Sequence, residues 1–92
     1  EISPSELSRL HRDLERAVDA RDARKVAVVA HTLKGALGNL NAASAANAAR
    51  RLEQLGRSGD LQDAAESLQV FTSELHTLMQ AIAALRAELE TR

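Results

Sequence analysis

Nine apolar residues near the C-terminus, Leu61, Ala64, Leu68, Phe71, Leu75, Leu78, Ile82, Leu85 and Leu89, recur at alternating spacings of three and four. That spacing returns one apolar side chain to the same face every turn, so it predicts a long amphipathic helix rather than a strand. Such a stripe cannot bury itself, and the rest of the chain offers three further stripes to cover it. Leu7, Leu10, Leu14 and Val18 form the first. Val26, Val29, Leu33, Leu37 and Leu40 form the second. Ala45, Ala48, Leu52 and Leu55 form the third. Ala and Leu supply most of the apolar content and head the helix-propensity ranking; Phe71 is the one aromatic residue. Ninety-two residues suffice for one core. The expected fold is all-α: an up-and-down antiparallel four-helix bundle forming a single domain over residues 1–92.

Punctuation between the stripes supports this division. Ser3-Pro4-Ser5-Glu6 reads as a helix start, with Ser3 as N-cap, Pro4 at the first position and Glu6 closing a capping box. The first helix should end near Ala20, and Asp22 can cap the second, which runs to about Leu40. Asn41 serves as the break and the cap of the third. Gly56-Arg57-Ser58-Gly59-Asp60 reads as a turn, with Asp60 capping the fourth helix. The charged run Glu88-Leu89-Glu90-Thr91-Arg92 reads as a fraying helix end.

Several function classes are disfavoured. Net charge is −1, with acids and bases interspersed, so no basic block tracks a phosphate backbone. No aromatic platform exists for base stacking, and nucleic acid binding is not expected. No apolar run is long enough to span a membrane, and no signal peptide is visible. Without cysteine there is no disulfide scaffold and no Cys-based zinc site. The chain begins at Glu1 without a methionine, which leads us to expect a domain cut from a longer protein.

One face of the second helix breaks the usual pattern. At about 100° per residue, His31 points roughly 150° from the middle of the Val26–Leu40 stripe. Ala27, Gly35 and Gly38 share that outward sector, with Lys34 at its edge. Each glycine in a helix interior costs about 1 kcal/mol relative to alanine, so two on an exposed face call for a reason. Close approach of another protein to His31 is one such reason.

Three readings of His31 are open from the residues alone. It is a surface histidine beside packing glycines, a metal ligand, or a nucleophile. The metal reading is weak, because His11 and His76 lie on other helices and no Glu-x-x-His or His-x-x-x-His pair occurs. A neutral imidazole with one solvent-facing nitrogen can take up a phosphoryl group and return it. Lys34, one turn along, can offset the charge that group brings. His11 and His76 read as boundary or solvated residues, and Met79 as core filler.

His31-Thr32-Leu33-Lys34-Gly35, followed by Leu52-Glu53 and by the Gly56–Asp60 segment, resembles a histidine-containing phosphotransfer (HPt) domain, over about residues 22–85. The resemblance implies that His31 is phosphorylated, Lys34 neutralises the phosphoryl group, Gly35 is the close-approach position and Gly38 a small position. It implies that Glu53 accepts a hydrogen bond from the second ring nitrogen, and that Arg57 lies near the docking surface. An ordinary i,i+4 salt bridge with Glu53 is the competing account of Arg57. The docking face should comprise Ala27, Val28, His31, Gly35 and Gly38. The partners implied are receiver domains of hybrid kinases and response regulators, and an upstream or parent histidine kinase. The domain itself would be a phosphoryl carrier and not an enzyme. It would need no cofactor, Mg²⁺ being supplied by the partner. Its location would be cytoplasmic, free or as the cytoplasmic part of a membrane-bound hybrid sensor kinase. The chain departs from the family at Asn41, where many members carry glycine; asparagine tolerates unusual backbone angles. The alternative from another class is a structural module that oligomerises through the long fourth helix.

Overall fold

A computed structural model describes residues 2–91. Among these, four helices and no strand occur: α1 (Pro4–Asp19), α2 (Ala23–Asn39), α3 (Ala43–Ser58) and α4 (Ala64–Glu90). Each packs on its neighbour in sequence, and α1 also meets α4, which closes the ring; α2 and α3 share the most extensive interface. Leu7, Leu14, Val26, Leu33, Leu37, Leu52 and Phe71 are fully buried at its centre.

The predicted stripes face inward with local shifts. In α1 the buried set ends on Ala17, with Val18 half-buried. In α2 it includes Ala30, and Leu40 is exposed. In α3 the expected Ala48 and Leu55 are only half-buried, while Ala49, Glu53 and Gly56 are buried. This rotation brings a carboxylate and a bare glycine onto the face that α2 covers.

The first two junctions share one device. Arg21 and Asn41 both adopt left-handed backbone, at φ 55° and 56°. Arg21 N–H donates to Val18 O and Asp22 N–H to Ala17 O; Asn41 N–H donates to Gly38 O and Ala42 N–H to Leu37 O. These paired bonds are the Schellman closure, which satisfies carbonyls that a helix end leaves free. Asn41 is therefore the break but not the cap of α3: Ala42 occupies that position and makes no side-chain cap. Asparagine tolerates left-handed angles, so the turn forms without glycine.

Three other local expectations are corrected. Ser3 accepts from Glu6 N–H at 3.2 Å, but the Glu6 carboxylate pairs with Arg9 at 2.6 Å, so the capping box is half formed. Gly56, Arg57 and Ser58 belong to α3, and only Gly59, left-handed at φ 79°, makes the turn. Asp60 does not cap α4: its carboxylate accepts from Gln62 N–H two residues on, and the helix starts at Ala64 after Asp63.

The fourth helix outruns its neighbours. At about 1.5 Å per residue it is roughly 40 Å long against about 25 Å for the others. Its seam is buried at Ala64, Phe71 and Leu75, half-buried at Leu61, Leu68, Leu78 and Ile82, and exposed at Leu85 and Leu89. The helix stays regular through Glu90, where fraying was expected, and Thr91 closes it by bonding Ala87 O; Arg92 of that run lies outside the described residues.

Candidate functional site

Glu53 is the only charged side chain buried among the described residues, and three basic groups converge on it. His31 Nδ1 lies 2.9 Å from Oε2, Arg57 Nη2 lies 2.7 Å from the same oxygen, and Lys34 Nζ lies 2.8 Å from Oε1. The Glu53 side chain is 5% exposed, against 62% for His31 and 68% for Arg57. Burying a carboxylate is costly unless it is paired and hydrogen-bonded. Here the Lys34 hydrogen bond holds its carboxyl below the ordinary glutamate value of 4.5. His31 and Arg57 act in the same direction, against burial, which pushes it up.

An ionised carboxylate can only accept, so the His31 proton facing it is on Nδ1. In the neutral ring Nε2 then carries the lone pair. With the ring largely exposed, that nitrogen is available to an electrophile. The tautomer is thus fixed from below by a residue of another helix.

The approach to His31 is open on one side and tight on the other. A Cβ built on Gly35 or Gly38 meets nothing within 4 Å. Val28 is 59% exposed one turn before the histidine. Ala27, expected on the outward face, is half-buried. A Cβ on Gly56 would lie 2.6 Å from Ala27 N, 2.8 Å from Ala23 O and 2.9 Å from Ala27 Cα. The α2 backbone therefore runs directly over Gly56, one turn beyond Glu53. This packing glycine was hidden in the sequence inside an apparent turn; the signal for it was Ala23 and Ala27, small residues four apart on the facing helix.

Away from this site, His11 is half-buried between α1 and α4. Its Nε2 is 2.8 Å from Thr72 Oγ1, and its ring centroid is 5.9 Å from that of Phe71. His76 is exposed, and Met79 packs half-buried against the core. Among the described residues no group of three or more metal-ligating side chains gathers, and no helix is long and apolar enough to cross a membrane.

The site is therefore an exposed imidazole on a helical bundle, with its inner nitrogen tied to a buried carboxylate of the next helix. The Hpt domain family model matches residues 4–90, and the chain belongs to that family. Searches of curated proteins and of solved structures gave no match. Membership places the chain in two-component phosphorelay signalling, among domains that carry phosphoryl groups rather than turn over a substrate, and whose partners as a class are receiver domains and kinases.

Proposed function

We propose that this domain is a phosphorelay intermediate that holds a phosphoryl group on His31 Nε2 and exchanges it with the aspartate of receiver domains. The observation that carries the reading is the 2.9 Å contact of Nδ1 with buried Glu53, which leaves Nε2 as the free lone pair. In the forward step Nε2 attacks the phosphorus of an aspartyl phosphate, the N–P bond forms, and the P–O bond to the aspartate breaks. The aspartate leaves as a carboxylate. The Nδ1 proton stays on the ring, and Glu53 stabilises the positive charge that develops there. Lys34 neutralises the incoming phosphoryl oxygens. Mg²⁺ belongs to the receiver's acidic pocket, and this chain needs no cofactor of its own.

The receiver docks over Val28, His31, Gly35 and Gly38, where missing side chains allow in-line approach and exclusion of water. We read residues 1–92 as one such module, cytoplasmic, free or within a hybrid sensor kinase. The bundle is read as up-and-down and antiparallel, since junctions of three to five residues return each helix beside the last.

The test is phosphoryl uptake from a panel of phosphorylated receiver domains with Mg²⁺. Wild type should take up an acid-labile, alkali-stable label, and His31→Gln none. No label from any competent donor would overturn the reading. Gly35→Glu should stay folded and lose transfer, because bulk and like charge oppose the donor. Lys34→Ala should slow transfer less than loss of His31 does. A structural module built on α4 is the second reading, favoured by the exposure of Leu85 and Leu89. It calls for a mass that rises with concentration in sedimentation.

A further inference from the structure

Glu53 holds more positive charge than its own neutralisation requires, and the surplus is arranged unevenly. Lys34 occupies Oε1 alone, while Arg57 and His31 share Oε2. Lys34 sits one turn from His31 on the same helix, within reach of a group on Nε2. Arg57 stands on α3, one turn beyond Glu53, on the helix that carries the carboxylate.

We infer that Arg57 is a positioning residue that keeps Glu53 anchored while Lys34 moves from Glu53 to the phosphoryl group; this rests on the phosphorelay reading of His31. Before transfer, two cations balance the buried carboxylate. After transfer, the phosphoryl dianion draws Lys34 to itself and vacates Oε1. A carboxylate left with only the histidine would be free to swing or take up a proton, and the imidazole would lose its orienting partner. The guanidinium presents several N–H donors in a planar fork, so Arg57 can engage both oxygens once Oε1 is free. No backbone movement is needed, because Arg57 already touches Oε2 at 2.7 Å. This assigns Arg57 to the interior chemistry of the site rather than to the rim of the docking face.

An ordinary exposed i,i+4 salt bridge would leave the chemistry of the histidine unchanged when removed. The test uses the full chain, with ¹⁵N-labelled histidine, phosphorylated by potassium phosphoramidate. That donor passes its phosphoryl group to Nε2 and releases ammonia, so no receiver is involved. Wild type, Arg57→Gln and Arg57→Lys are followed by ¹⁵N and ³¹P NMR across pH. In the free state all three should show the Nδ1–H signal of a ring bonded to Glu53, because Lys34 still holds the carboxylate. After phosphorylation, Arg57→Gln should lose that signal and hydrolyse about tenfold more slowly, the size expected from one charge-assisted hydrogen bond, because the N–P bond breaks most readily when Nδ1 keeps its proton. Arg57→Lys should restore most of both.

A wild-type lifetime and an intact Nδ1–H signal in phosphorylated Arg57→Gln would overturn the inference. Loss of the signal already in the free variant would overturn the division of labour between the two cations. Failure of the underlying reading looks different: wild type then acquires no phosphoryl group on His31 Nε2.

Discussion

The α2–α3 interface and the distal half of α4 are built from equally regular helices, yet they stand at opposite ends of packing. Between α2 and α3 the backbones come so close that one added methyl at Gly56 would strike main-chain atoms at 2.6–2.9 Å. Along α4, every residue from Ala83 to Thr91 is exposed although the apolar spacing continues unbroken to Leu89. Helical periodicity is therefore common to both regions, and what differs is whether a neighbour is present. The tight interface is also where the chemistry sits. Close backbones let a carboxylate on α3 reach under a histidine on α2, and the same closeness removes that carboxylate from water.

Gly56→Ala is the sharpest way to break this contrast. The new methyl meets backbone and cannot be relieved by a rotamer change, so α2 and α3 must separate, at about 3 kcal/mol in urea unfolding. Transfer should fall with it as Glu53 moves from His31. Gly35→Ala has the opposite sign on stability. Its Cβ enters open space, so helix propensity alone should stabilise the fold by about 1 kcal/mol.

A conditional effect comes next. Because the Glu53 carboxyl is held below 4.5 by Lys34, His31 and Arg57, its contribution is fully present above that pH. It is lost as pH falls through the lower folded value. The stability advantage of wild type over Glu53→Gln should therefore narrow below pH 4.5 in acid titrations followed by circular dichroism, and an advantage that grows on acidification would contradict the ion cluster. The smallest effect belongs to the overhang: Leu85→Ser and Leu89→Ser should each change stability by less than about 0.5 kcal/mol.

Legibility followed the same divide. The four stripes were readable because each repeats over several turns, and so many positions agree that one error does not matter. Helix ends were less readable, since each depends on two or three residues. Asp60 has the chemistry of a cap but satisfies Gln62 N–H in its own turn. Gly56 and Gly59 look alike in sequence. Only Gly59 takes a left-handed angle, whereas Gly56 is helical and exists to let α2 pass. Ala27 was placed on the open face by the helical wheel, which has no knowledge of the helix that crosses there.

The sequence by itself determined the four helices, the inward face of α1 and α2, and the isolation of His31 beside Lys34 and two small positions, because these are periodic or local properties of one segment. The family resemblance already implied the Glu53–His31 hydrogen bond. Only the tertiary structure decided that Lys34 and Arg57 divide the two oxygens of that carboxylate, that α3 is rotated to bury it, and that the seam of α4 runs out of partners before Leu85. Those facts depend on the rotation and separation of helices 22 residues apart in sequence at the site, set by backbone contact at Gly56 and by the unequal lengths of the four helices.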